Sequence, residues 1–138
     1  MVITRKVEFS SSHMCRRPEL SDEENHRIYG LAANPHGHGH NYVLEVTVSG
    51  RPDPATGYVI DLGELKAIVN RAVADPCDHR HLNEDVPFLR GLIPTTENLV
   101  VAFWGQLAPL IRQGRLHSVR LYETPRNFVE YFGPEPAL

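Results

Sequence analysis

Apolar and polar residues alternate from the first positions of the chain. In VITRKVEFSSSH, Ile3, Val7 and Phe9 fall on one face and Thr4, Lys6, Glu8 and Ser10 on the other. This is the period of a half-buried strand, and if the strand runs on, His13 joins the Ile3/Phe9 face. The same period is clearest in HGHNYVLEVTVSG, where His38, His40, Tyr42, Leu44, Val46 and Val48 share a face. Between these runs lies a polar stretch with a turn or two of helix expected around Ser21 to Arg27. An irregular excursion of that length in a small domain is often functional. Pro52, Pro54 and Gly57 mark a loop, and Tyr58 to Ile60 reads as a short strand. The period then changes to that of a helix. Leu62, Leu65, Ile68, Val69, Ala72 and Val73 form one stripe, with Asp61 as its cap, Glu64 completing a capping box, and a stop near Asp75 ahead of Pro76. A second helix follows, capped by Thr95 or Thr96, with Leu99, Val100, Phe103, Leu107, Leu110 and Ile111 inward. Pro109 is expected to shorten its end and Gly114 to close it. LHSVRLYET and NFVEYFG read as two last strands around a turn at Pro125–Arg126.

The resulting order, β-β-α-α-β-β, predicts an α+β fold with a four-stranded antiparallel sheet and two helices on one face. Such a sheet leaves two open edges, and open edges invite pairing, so an oligomer joined through its sheets is expected. With 138 residues and neither repeat nor linker, the expectation is a single domain over residues 1–138.

Composition narrows the chemistry. The formal net charge is -3 and there is no Lys/Arg-rich run, which argues against a nucleic-acid or membrane-surface protein. No apolar run approaches the ~20 residues of a membrane span, and the N-terminus lacks the apolar block of a signal peptide. Two cysteines cannot make a disulfide framework, which suggests a reducing, cytoplasmic setting. The histidines are the informative residues. His38 and His40 sit two apart on a strand, so both rings leave one face with Cα atoms ~6.5–7 Å apart. Two imidazoles at that spacing can converge on one ion, and the flanking Gly37 and Gly39 add no bulk. His13, on the same face of the other strand, offers a third ligand. His36 has the same parity but ranks below His13 for that place, because it sits before Gly37, where the strand is only starting. Three neutral histidines with one open position describe a catalytic zinc site rather than a closed structural one.

Asp78–His79 pairs a carboxylate with an imidazole in a loop, an arrangement that orients a histidine and supports its charged form. Glu123, in a strand and facing a core, needs a partner, either adjacent N–H donors of a ligand or a nearby arginine. Cys15, two residues past His13, is either near the metal or a small buried hydrophobe. His38 and His40 followed by Glu45 are also similar to the metal motif of cupin barrels, but two amphipathic helices in mid-chain do not suit an all-β barrel.

FSSSH (Phe9 to His13), NPHGHGHNY (Asn34 to Tyr42), DHRHLN (Asp78 to Asn83), TTEN (Thr95 to Asn98) and YET (Tyr122 to Thr124) occur together in order. Over essentially the whole chain this pattern resembles the 6-pyruvoyl-tetrahydropterin synthase and 6-carboxytetrahydropterin synthase family. The resemblance implies a tunnelling fold, in which trimers close a β-barrel and two trimers stack into a homohexamer with sites between subunits. It implies zinc on His13, His38 and His40, and a proton relay through Asp78 and His79. It also implies a pterin ring anchored by Glu123, in a pocket lined by Thr95 and Thr96. The expected activity is that of a lyase on 7,8-dihydroneopterin triphosphate. It would eliminate triphosphate to give 6-pyruvoyl- or 6-carboxy-tetrahydropterin, the first feeding tetrahydrobiopterin and the second queuosine-type deazapurines. One position departs from the pattern. The family usually has a catalytic cysteine six residues before the first histidine of the pair, and here Ala32 stands there. Its proton transfer then falls to His79, Cys15 or a hydroxide at the metal, or else the chain is a pterin- or metal-binding homologue that has lost the base.

Overall fold

Two long strands pair along their whole length and organise everything else. In a computed structural model describing residues 1–135, β1 (Val2–His13) runs antiparallel to β2 (His38–Ser49), from Val2 opposite Ser49 to His13 opposite His38. β2 pairs with β4 (Arg115–Thr124), which turns at Pro125–Arg126 into β5 (Asn127–Tyr131). The turn is held by Thr124, whose hydroxyl accepts from the backbone N–H groups of Arg126 and Asn127. The strands alternate as their sequence does. Val7, Phe9, Tyr42, Leu44, Val46, Val48, Val119 and Leu121 are buried on one face, the residues between them more exposed.

That apolar face is covered by the helices. In α2 (Leu62–Val69) and the turns that follow it, Leu65, Ile68, Val69 and Val73 are buried, while Leu62 at the first turn stays 39% exposed. In α4 (Thr96–Leu107), Leu99, Val100, Phe103 and Leu107 point inward. Phe9 links the two layers, stacked on Tyr42 at 5.1 Å and edge-on to Phe103 at 6.1 Å between ring centroids. Thr95 caps α4 through its hydroxyl, which accepts from the Asn98 N–H, and the helix ends at Leu107, followed by a 3-10 turn, Ala108–Leu110, containing Pro109.

The architecture is α+β, as the pattern predicts, and departs from the expectation in its details. The sheet is mixed and has five strands, in the order β3-β1-β2-β4-β5, because β3 (Arg80–His81) adds parallel to β1 opposite Ser11 and Ser12. Two residues of strand carry no periodicity, so this element left no pattern in the sequence. The helical turns expected around Ser21 to Arg27 form α1 (Asp22–Tyr29), whose capping box joins Ser21 and Glu24. Asn25, fully buried, ties it down by accepting from the Arg17 N–H and donating to the Arg17, Leu20 and Ser21 carbonyls. Finally, the α2 path does not stop ahead of Pro76. It widens into a π turn over Asn70–Ala74, in which the Asp75 N–H reaches back to the Asn70 carbonyl, and closes in α3 (Asp75–Cys77). A wider turn placed just before a proline accommodates the ring and the missing N–H that would otherwise end the helix. Tyr58 to Ile60 form no strand; Val59 and Ile60 are buried as part of a loop. Asp61 caps α2 by accepting from the Gly63 N–H.

Candidate metal and pterin site

The β1–β2 register places His13 directly opposite His38, with His40 two residues along the same face. The ligand-capable nitrogens of His13, His38 and His40 lie within 4.8 Å of one another. The Nε2 atoms of His13 and His38 are 3.1 Å apart. Two nitrogens bound tetrahedrally at ~2.0–2.1 Å would stand about 3.3 Å apart, so this pair is close to the bite of a single ion. His36 is exposed and its backbone N–H donates to Asn34 Oδ1, and it is not part of the cluster.

The surroundings prepare these rings for a cation. Nδ1 of His13 lies 2.8 Å from the Pro94 carbonyl, a pure acceptor, so Nδ1 carries the proton and Nε2 presents a lone pair. The Tyr42 hydroxyl is 3.4 Å from the same Nδ1. Burial, the largest influence, holds the pKa of His13 below its ordinary value, with the neighbouring His38 acting in the same direction. His40 is lowered chiefly by burial too, against the opposing pull of Glu123. His40 Nε2 stands 3.2 Å from Glu123 Oε1, but at an angle that makes no hydrogen bond, so this buried nitrogen lacks a partner. Neutral imidazoles with one orphaned buried nitrogen fit a divalent metal.

Glu123 closes the floor of the site. Its Oε2 accepts from the Thr96 hydroxyl at 2.6 Å, and Oε1 faces His40. The sequence left its partner open between a ligand and an arginine. The structure supplies a threonine hydroxyl and leaves the second oxygen toward the cluster. Asp78 lines an open groove of about 700 Å³ together with Glu8, Ser10, His40, Asn41 and Glu123 among others, and His79 lines a neighbouring groove that shares Ser10, His40 and Asn41 with it. Asp78 Oδ1 accepts from the Ser10 N–H at 2.9 Å, and Oδ2 lies 2.9 Å from His79 Nδ1. These bonds, the Ser10 amide first, keep the Asp78 carboxyl below the usual carboxylate range. His79 has φ 58, a left-handed conformation uncommon for a residue with a side chain. Its backbone N–H is held to the Ser10 carbonyl at 2.6 Å, which helps fix that conformation.

Cys15 is buried, its Sγ 3.8 Å from the same Pro94 carbonyl that faces His13, and burial pushes its thiol up to about 11. Its backbone N–H donates to the Ala32 carbonyl at 2.8 Å, which pins the 3-10 turn Gly30–Ala33 against the segment after β1. Two contributors had no role assigned from the sequence. One is the Pro94 carbonyl, since any residue has a carbonyl. The other is Asn83, whose side-chain amide accepts from the Met14 N–H and donates to the Met14 carbonyl, both at 2.9 Å, locking the loop after Asp78 beside His13.

A family model described as 6-pyruvoyl tetrahydropterin synthase matches residues 2–134. The chain is 45% identical over 131 residues to 6-pyruvoyl tetrahydrobiopterin synthase of Pongo abelii, covering 95% of this chain and 90% of that one. It is 26% identical to 6-carboxy-5,6,7,8-tetrahydropterin synthase of Rickettsia bellii, over 92% of this chain and 96% of that one. The solved structure of Caenorhabditis elegans 6-pyruvoyl tetrahydropterin synthase superimposes with a TM-score of 0.91 at 36% identity, covering 97% of this chain and 96% of that one.

The depressed histidines set a pH dependence. A folded-state pKa below the unfolded value means that the unfolded chain binds more protons on acidification, so stability falls with falling pH, beginning near the unfolded value of about 6.5. Chelator-treated protein is expected to lose unfolding midpoint between pH 7 and pH 5 in urea titrations. His13→Gln is expected to lose less. A midpoint that rises on acidification would contradict this reading of the cluster.

Proposed function

The chain belongs to the 6-pyruvoyl tetrahydropterin synthase family, and on that premise we propose that it is a zinc-dependent lyase acting on 7,8-dihydroneopterin triphosphate. The observation that carries this is the meeting of His13, His38 and His40 beside a carboxylate, Glu123, with an oxygen free of hydrogen bonds to protein. Zinc, when bound, would supply Lewis-acid polarisation of the substrate's side-chain oxygens. The chain's own groups supply the rest. Glu123 accepts the N–H edge of the pterin ring while Thr96 holds its other oxygen. Thr95 shapes the same end of the pocket as the cap of α4. His79, with Nδ1 facing Asp78, keeps Nε2 to take and return a proton along the substrate side chain, and Asp78 is itself held by the Ser10 amide. Cys15 serves packing in this reading, because a buried thiol near 11 is protonated at neutral pH.

The higher identity to a relative named for the pyruvoyl product, 45% against 26% for one named for the carboxy product, supports elimination to 6-pyruvoyl-tetrahydropterin. Open edges on β5 and along β1 support assembly into a homohexamer through shared sheets. Among the described residues no helix is long and apolar enough to cross a membrane, and the proposed setting is the cytoplasm. A second reading, a pterin- or metal-binding homologue without catalysis, is favoured by one residue, Ala32, where the family usually has its thiol base.

Incubation with 7,8-dihydroneopterin triphosphate and product identification by mass spectrometry separates the two readings. Release of inorganic triphosphate with formation of 6-pyruvoyl-tetrahydropterin is expected, and absence of any turnover despite pterin binding would establish the second reading. General base catalysis is worth roughly 10²–10⁴-fold. Ala32→Cys is therefore expected to raise turnover within that range at unchanged zinc content. An unchanged rate would show that the chain does not use position 32 for proton transfer.

A further inference from the structure

A row of charges crosses the sheet on the face away from the helices. The register sets Lys6 of β1 opposite Glu45 of β2, Glu45 opposite Arg120 of β4, and Arg120 opposite Glu130 of β5. The signs alternate along the row. Lys6 Nζ is 3.7 Å from Glu45 Oε2, Arg120 Nη1 is 3.8 Å from Glu45 Oε1, and Arg120 Nε donates to Glu130 Oε2 at 3.1 Å. The row therefore ends in a cation toward one edge of the sheet and an anion at the other. Lys6 has a carboxylate on one side only, and its side chain is 63% exposed.

The backbone at both ends is set for pairing. Ser10 donates its N–H to Asp78 and accepts at its carbonyl from the His79 N–H, and the Ser12 carbonyl accepts from the Leu82 N–H. Even-numbered residues of β1 thus turn their backbone groups away from β2. In an antiparallel ladder, pairs with and without backbone hydrogen bonds alternate. Lys6–Glu45 is then a pair without them, Glu45–Arg120 a pair with them, and Arg120–Glu130 a pair without. The N–H and C=O of Glu130 consequently face outward from β5, as those of Lys6 face outward from β1. Among the described residues β3 covers that edge of β1 only at Ser11 and Ser12, which leaves it open from Val2 to Phe9.

Open edges alone do not say how far one strand slides along another. We propose that this row sets the register between copies of the chain: β5 of one copy adds antiparallel to β1 of the next, with Glu130 opposite Lys6. This rests on the sheet-joined assembly read above. Asn127–Tyr131 then lies along Phe9 to Arg5 and stops short of β3. Arg5, whose Nε is buried without a hydrogen-bond partner, falls opposite Tyr131 of the neighbouring copy. Other registers are disfavoured. A slip of two residues one way sets Glu130 against Glu8, a like-charge pair, and brings Phe128 to Ser10, whose backbone groups are already engaged. A slip of two the other way sets Glu130 against Thr4, which is bonded to Thr47 at 2.7 Å, and leaves the charges unmatched. A slip of one turns every side chain to the wrong face. In a closed ring of copies the row becomes an unbroken circle of alternating charge.

The chain has two lysines, Lys6 and Lys66, so cross-linking with a carbodiimide reads the row directly. The reagent joins an amine to a carboxylate as an amide, takes up the water lost and leaves as a urea, so only groups in contact react. Within one chain Lys6 and Glu130 stand three strand spacings apart, ~14 Å, too far for such a link. Sedimentation velocity gives the assembly state, and joined and single chains are separated by denaturing electrophoresis before peptide mass spectrometry. A Lys6–Glu130 amide is expected in the joined chains, and a Lys6–Glu45 amide in the single ones. Glu130→Gln keeps the shape of the side chain and an acceptor for Arg120. It is expected to lose the Lys6–Glu130 link and to need about threefold or more higher concentration to assemble. Assembled wild-type protein without a Lys6–Glu130 amide, or an unchanged concentration dependence in Glu130→Gln, overturns the proposed register and leaves the assembly standing. A wild-type chain that sediments as a monomer overturns the assembly reading itself.

Discussion

Everything at the site hangs on the register between β1 and β2. His13 meets His38 because Val2 meets Ser49 eleven positions away, with no bulge between them. In a sheet of period two, a slip of one residue would carry His13 to the solvent face and separate it from the pair on β2. The register is enforced by what the same face buries farther down. Phe9 packs on Tyr42, and Val7, Leu44, Val46 and Val48 fill the space under the helices. The hydrophobic core therefore does more than stabilise the chain, because the cost of exposing it keeps three imidazoles in one place. A buried cluster of basic rings repels protons, and the lowered pKa values of His13 and His40 are the electrostatic sign of that placement.

Around the register, loops with no apolar pattern of their own are fastened by hydrogen bonds to β1. Asn83 grips both backbone groups of Met14, Asp78 takes the Ser10 amide, and the His79 N–H takes the Ser10 carbonyl. The Pro94 carbonyl, delivered by the loop before α4, fixes the His13 tautomer and faces the Cys15 thiol. One strand end thus collects three histidines, a carboxylate–imidazole pair and the Glu123 carboxylate from four separate stretches of sequence.

The parts legible in the sequence were those with a period or a motif. The alternation of β1 and β2, the stripes of α2 and α4 and the parity of His13, His38 and His40 all follow from side-chain spacing, and the structure keeps them. Parity did not choose between His13 and His36; the chain decides by making its turn at Asn34–Gly37, which leaves His36 outside the cluster. The short β3, the π turn before Pro76 and the buried Asn25 were not legible. Each is fixed by backbone groups finding partners across the fold rather than by an apolar pattern. The roles of Pro94 and Asn83 were hidden for the same reason.

In the proposed function, β1 and β2 together hold one divalent ion on His13, His38 and His40. Metal content per chain, measured by inductively coupled plasma mass spectrometry on wild type and on His13→Ala, His38→Ala and His36→Ala, tests it most directly. One zinc-class ion per chain is expected in wild type and in His36→Ala, with occupancy lost in His13→Ala and His38→Ala. Retention of the ion in His13→Ala together with its loss in His36→Ala would contradict the assignment.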